Sequence, residues 1–261
     1  MISRNFLEVP LPLNSKEGEG SALTMVLDKG LGLNELEDLL QIAANYIDYI
    51  KLTFGTAFLY PEDVLREKVL RIREAEVEVY TGGTLFEIAI EQNKMKEYFR
   101  WLEDMNFSAV EISDGTINLD FVQRKKAIEI AKKNGFKVLS EVGKKEKEKT
   151  LSVNQMLENV NFDFEAGADK VIIEARASGK NISIYNKQGD PNLQSFFELK
   201  KNLFANMENI IWEAPLKKQQ LFFINQIGNN VNLGNIATDD VIALAALRRG
   251  LRGDTFSQVL K

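Results

Sequence analysis

The feature that most constrains this chain is a regular alternation of two textures. Short β-branched runs that end in polar residues are followed, again and again, by longer segments with helical periodicity. Strands are predicted at 23–28, 46–51, 78–80, 109–113, 136–142, 170–174, 209–213 and 231–234. Helical segments are predicted at 36–44, 63–73, from 84, around 121–133, 153–166, somewhere in 193–205, 217–227 and 239–249. Asn34 with Glu37, and Thr84 with Glu87, read as capping boxes at helix starts. Strict strand–helix alternation implies parallel strands with crossover helices. About eight such units in about 250 residues is the arithmetic of a (β/α)8 TIM barrel. The structural rival is a doubly wound open sheet. Its Gly-x-Gly-x-x-Gly turn is absent, because Asp28-Lys-Gly-Leu-Gly32 lacks the third glycine. With no linker or low-complexity segment, residues 21–261 are expected to form one catalytic barrel domain. Residues 1–20 are expected to be an extended N-terminal arm.

Composition narrows the chemistry. The chain contains no cysteine and no histidine. Disulfides, thiolate metal sites, cysteine nucleophiles, the Ser-His-Asp triad and imidazole acid–base catalysis are therefore excluded. Proton transfer falls to lysine, carboxylate, tyrosine or water. Any metal must be held by oxygen, which points to Mg²⁺ or Mn²⁺. A net charge of -5 argues against a general nucleic-acid or membrane-surface partner. An anionic small molecule must then be drawn in by a local cluster of cations. No apolar run is long enough for a bilayer span, and the start lacks a signal-peptide core, so the expected address is the cytoplasm.

In a barrel the reacting groups sit at the C-terminal ends of strands and in the loops that follow. The strand ends here supply Asp28, Lys51, Gly82-Gly83-Thr84, Glu111 with Ser113 and Asp114, and Glu141 with Lys144-Lys145. Later ones supply Glu174 with Arg176-Ala-Ser178-Gly179, Glu213, and Asn232 with Asn235. An inward carboxylate costs several kcal/mol unless it is paired or bound to metal. The set reads as a charge-compensated polar cup at one mouth. The bland alternative for each member is local: rim ion pairs for the carboxylates, a tight turn for Gly82-Gly83, turn chemistry for the asparagines. Phe99, Trp101 and Phe107 read as core.

The same strand ends form an ordered series of motifs. These include Leu27-Asp-Lys-Gly-Leu31, Tyr46-Ile-Asp-Tyr-Ile-Lys51, Gly82-Gly-Thr-Leu-Phe-Glu87, Val110-Glu-Ile-Ser-Asp-Gly115 and Glu141-Val-Gly-Lys-Lys145. Glu165-Ala-Gly-Ala168, Glu174-Ala-Arg-Ala-Ser-Gly179, Glu213-Ala-Pro215, Val231-Asn-Leu-Gly-Asn-Ile236 and Leu247-Arg-Arg-Gly-Leu-Arg-Gly-Asp-Thr255 continue it. The series resembles the phosphosulfolactate synthase family over nearly the whole chain. The resemblance implies a Mg²⁺-dependent barrel lyase that adds sulfite to phosphoenolpyruvate, giving (2R)-phospho-3-sulfolactate. In methanogens this step opens coenzyme M biosynthesis. It also implies a lysine as general acid, a role that falls on Lys145. The chain departs from the family pattern at Lys51-Leu-Thr-Phe-Gly-Thr56, at Thr81 and at Ala177. The family's relatives include plant heat-stress-associated proteins, so an inactive stress-associated relative remains an alternative.

On this reading Lys145 is the general acid, with Lys144 beside it lowering its pKa and Lys51 as a further catalytic cation. Arg176, Gly83, Ser178, Gly234, Asn235 and Asn232 are the expected substrate-binding residues. Asp28, Glu111 and Glu141 are the expected metal ligands. The partners expected are the small anions phosphoenolpyruvate and sulfite; a homo-oligomer is left open. A second enzymatic alternative is another metal-dependent lyase or aldolase acting on a phosphorylated keto acid, with Lys51 as Schiff-base nucleophile.

Overall fold

The computed structural model describes residues 22–144, 151–175, 178–180 and 184–258. Eight strands run parallel: β1 (Thr24–Asp28), β2 (Tyr49–Leu52), β3 (Glu78–Thr81), β4 (Ala109–Ile112), β5 (Lys137–Val142), β6 (Lys170–Ile173), β7 (Ile210–Glu213) and β8 (Leu233–Ala237). β1 pairs with both β2 and β8, giving the order β3-β2-β1-β8-β7-β6-β5-β4. The remaining seam, between β3 and β4, is bridged by Ser108. Its amide donates to Val79 O at 3.2 Å, and its hydroxyl accepts the Val79 amide at 2.9 Å. The sheet is thus nearly closed on itself, which is the expected TIM barrel and excludes the open doubly wound sheet.

Helices follow the strands: α1 (Leu33–Ala43), α2 (Glu62–Glu74), α3 (Gly83–Glu91), α4 (Met95–Asp104), α5 (Phe121–Lys133), α6 (Val153–Ala166), α7 (Leu193–Asn202), α8 (Lys217–Ile227) and α9 (Val241–Arg248). None of the described helices is long and apolar enough to cross a membrane. Their apolar stripes cover the outer face of the sheet in one continuous core that includes Phe99, Phe196, Trp212 and Phe223. A second, smaller cluster fills the barrel itself, from Met25, Tyr49, Tyr80, Ala109, Leu139, Ile172 and Ile211. Parallel strands covered on both faces need apolar residues on both, and the β-branched runs supply them.

Three local expectations need correction. α1 is capped at Gly32, whose amide donates to Glu35 Oε2 at 3.0 Å, so Asn34 lies inside the helix. The β3–β4 connection holds two helices, and the strongly amphipathic α4 carries Phe99 and Trp101 into the core. β8 begins at Leu233 rather than at 231. The predicted N-terminal arm lies outside the described residues.

Candidate active site

Side chains alternate across a strand, so residues two apart share a face. The apolar residues inside the barrel therefore fix what stands one step nearer its C-terminal mouth. Tyr49 is followed on the same face by Lys51, Ala109 by Glu111, Leu139 by Glu141, Ile172 by Glu174 and Ile211 by Glu213. The polar residues of this upper layer are buried, with Glu111 fully so and Lys51 only 6% exposed. They line a cavity of about 290 Å³ together with Gly82, Gly83, Thr84, Ser178 and Asn235. Phe54, held at φ 59° in the turn after β2, forms part of its wall and is more than half exposed.

Lys51 sits at the centre of the charge. Its Nζ lies 2.8 Å from Glu111 Oε2, 3.5 Å from Glu141 Oε2 and 3.6 Å from Glu213 Oε1. Burial works to lower its pKa, but attraction to Glu111 and Glu141, with smaller help from Tyr80 and Glu213, outweighs burial and holds it well above the lysine range. Lys51 is therefore a standing ammonium. Beneath it, burial above all pushes the Tyr80 phenol well up, so this hydroxyl stays protonated.

The carboxylates are held at their second oxygens. Glu111 Oε1 accepts the Gly83 amide at 2.7 Å, and Glu213 Oε2 accepts the Ala175 amide at 2.7 Å. Glu141 Oε1 lies 3.1 Å from Ser113 Oγ. Glu141, Glu174 and Glu213 each present an oxygen, and these atoms lie within 4.8 Å of one another. Three buried oxygen donors at this spacing suit a hard divalent cation and no thiophilic one.

This layout redistributes the expected roles. Asp28 stands outside the cavity lining. Its Oδ2 pairs with the fully buried Lys68 of α2 at 2.6 Å, and its Oδ1 accepts the amides of Gly30 and Leu31. It clamps the loop after β1 and does not face the three converging carboxylates. Glu111 lines the cavity but is committed to Lys51 and Gly83. Glu174 and Glu213, rather than Asp28 and Glu111, converge with Glu141; both were visible as strand-end carboxylates, but no sequence spacing says which of these converge.

Lys144 is also committed elsewhere. Its Nζ donates to Asp114 Oδ2 at 2.6 Å, to Asp114 O at 2.7 Å and to Ile117 O at 3.0 Å. It ties the loop after β5 to the loop after β4, outside the cavity lining, and Asp114 offsets its charge. Asn232 lies at the opposite end of the barrel, because β8 starts after it. Its amide holds Leu23 N, Glu208 O and Ile210 O. Gly234 is a packing residue inside the barrel, where an added Cβ would stand 2.6 Å from Met25 Cε. The Gly83 amide is spent on Glu111, and its missing side chain makes room for Ser113, whose Cβ would lie 2.4 Å from an added Cβ. Ser178 and Asn235 do line the cavity. Lys145 and Arg176 lie outside the described residues.

Asn235 reaches the cavity through a backbone irregularity. The β1–β8 register shifts between Thr24 and Val26, and Asn235 opposite adopts φ 57°. A bulge of this kind re-aims a side chain, and asparagine tolerates the left-handed region better than most residues. Its Oδ1 is buried without a hydrogen-bond partner among the described residues.

A model of the (2R)-phospho-3-sulfolactate synthase (ComA) family matches residues 14–254, a span that contains all eight strands and every residue of the cup. The chain belongs to this family. It is 47% identical over 239 residues to the phosphosulfolactate synthase of Methanocaldococcus jannaschii, covering 91% of this chain and 94% of that protein. It is 44% identical over 257 residues to the phosphosulfolactate synthase of Methanothermobacter thermautotrophicus, covering 98% and 99%. Membership of the phosphosulfolactate synthase family makes the protein an enzyme, and its cup the place to look for the chemistry. Among solved structures, the HpcH/HpaI aldolase of Desulfitobacterium hafniense DCB-2 superposes with a TM-score of 0.56 at 10% identity, over 86% of this chain and 89% of that one. That likeness reports the shared barrel.

Proposed function

We propose that the protein catalyses the Mg²⁺-dependent addition of sulfite to phosphoenolpyruvate, forming (2R)-phospho-3-sulfolactate. The observation that carries this reading is the convergence of Glu141, Glu174 and Glu213 at the mouth of a family-matched barrel. Four buried glutamates against Lys51 leave an excess of negative charge among the described cup residues. Two polyanionic substrates would be repelled by that excess. A divalent cation, with Lys145 and Arg176, would turn the balance positive. Held by Glu141, Glu174 and Glu213, Mg²⁺ would supply Lewis-acid stabilisation where charge develops on the substrate carboxylate.

The remaining roles belong to the chain. Sulfite attacks the methylene carbon of phosphoenolpyruvate through sulfur, forming the carbon–sulfur bond. The π electrons move toward the carboxylate and give an aci-carboxylate. The neighbouring carbon then takes a proton from an ammonium, so one proton is consumed per turnover. Lys145 is the donor in this account, from its place in Glu141-Val-Gly-Lys-Lys145. Lys51 is a poor donor because its neighbours hold its proton tightly; it supplies fixed positive charge instead. The Asn235 amide and the Ser178 hydroxyl offer hydrogen bonds to substrate oxygens, and Arg176 offers a fork for phosphate or carboxylate.

Phosphorus NMR tests the proposal. Phosphoenolpyruvate, sulfite and Mg²⁺ with the protein are expected to yield a new phosphate ester that needs all three. Lys145→Ala is expected to keep the fold and cut turnover by about 10²-fold or more. Near-wild-type turnover would remove Lys145 as the acid, and no ester in the wild-type mixture would remove the function.

A further inference from the structure

Outside the cup, the least explained buried charge is Glu87 of α3, which is 1% exposed. It does not cap its helix. Its Oε1 accepts Ser113 Oγ at 2.5 Å and the Gly115 amide at 2.9 Å. Its Oε2 accepts the Thr116 amide at 3.1 Å and the Thr116 hydroxyl. These donors fix the loop after β4 against α3 and leave Glu87 little capacity for a ligand. The Ser113 hydroxyl also stands 3.1 Å from Glu141 Oε1. A serine hydroxyl carries one proton, and both of these carboxylate oxygens are acceptors, so Ser113 shares that proton between Glu87 and Glu141 as their common donor. Gly83, in the first turn of the same helix, holds Glu111 through its amide.

We propose that Glu87 and Ser113 are positioning residues that orient Glu141 as a metal ligand, with Glu87 acting only through Ser113. This rests on the metal reading of the three carboxylates given above. Metal-ligating carboxylates are themselves hydrogen-bonded, and such partners set ligand direction. α3 is then the frame for the cup: its start holds Glu111, and its middle, through Ser113, holds Glu141. A purely structural Glu87 would tie down the loop and nothing else.

The test is Mn²⁺ binding, followed by calorimetry and by the EPR signal of free Mn²⁺, in wild type, Ser113→Ala, Glu87→Gln and the double variant. Ser113→Ala is expected to raise the Mn²⁺ Kd by about 10–100-fold, the usual cost of losing a supporting partner. Glu87→Gln is expected to weaken binding in the same direction, and to add nothing in the Ser113→Ala background. Metal-free melting curves show whether each variant folds. If Ser113→Ala does not fold, Glu87→Gln alone decides, and an unchanged Kd there overturns the inference. A wild-type Kd in folded Ser113→Ala, or additive losses in the double variant, also overturns it. A wild-type protein that binds no Mn²⁺ overturns instead the metal reading beneath it.

Discussion

The Lys51 ammonium stands 2.8 Å from Glu111 Oε2, in a layer of the barrel where Lys51, Glu111, Glu141, Glu174 and Glu213 are all buried. Removing this cation leaves buried carboxylates facing one another without their shared counter-charge. Breaking a buried pair by deleting one partner costs about 3–5 kcal/mol. Lys51→Met is therefore expected to lower the stability measured by urea denaturation by about that amount, and Mg²⁺ is expected to restore part of it by binding the folded state. Wild-type stability in Lys51→Met would show that the glutamates do not depend on Lys51.

The raised Lys51 pKa also sets a pH window. A base whose pKa rises on folding lends stability that is whole below its unfolded value and is lost as pH climbs through the folded one. Because Glu111 and Glu141 outweigh burial at Lys51, its contribution should stay flat at neutral and mildly alkaline pH and fade only beyond the ordinary lysine range. The same protonation bears on the Schiff-base aldolase alternative, which needs a neutral amine. Borohydride reduction in the presence of pyruvate is expected to leave Lys51 unmodified by mass spectrometry, and an adduct on Lys51 would favour the aldolase.

Glu174→Gln removes one of the three converging oxygens while keeping size. Metal affinity is expected to fall by more than the roughly 10–100-fold that loss of a supporting residue costs, with turnover falling alongside. Titration of Mn²⁺ by calorimetry checks this. Unchanged affinity would move the metal away from this group.

Most of the barrel was legible in the chain. Strands such as 170–174 and 209–213 are short apolar runs between turn signals, and α6 and α8 match their periodic segments to the residue. The errors have non-local causes. Lys68 on α2 captures Asp28, and nothing in the spacing of residues 28 and 68 announces that pair. Thr84 and Glu87 have the spacing of a capping box, but the helix already starts at Gly83 behind Gly82, and Glu87 turns instead to a loop 28 positions away at Gly115. β8 begins two residues later than the apolar pattern implies, which puts Asn232 at the opposite end, and the left-handed conformation of Asn235 beside the β1 register shift has no spacing signal either. The strand-end carboxylates could be named from sequence; their convergence depends on barrel geometry.

Gly143 shows how tightly the mouth is built. It adopts φ 151°, and an added Cβ would stand 2.4 Å from Glu174 Cβ. Gly143→Ala must push the loop after β5 off Glu174. A cost of about 1–3 kcal/mol in stability is expected from the overpacking, together with weaker Mn²⁺ binding. Thermal melts and calorimetry check both, and a variant with wild-type values in each would show that the loop accommodates the methyl without moving Glu174.

The central claim is that this mouth joins sulfur to carbon and then delivers a proton to the neighbouring carbon. The most direct measurement is carbon-13 NMR of phosphoenolpyruvate labelled at its methylene carbon, incubated in D2O with sulfite, Mg²⁺ and the protein. The account predicts that the vinyl signal is replaced by an sp³ methylene bearing sulfonate, next to a carbon carrying one deuterium. A vinyl signal that persists with folded protein, or a product that forms equally well without sulfite, would contradict it.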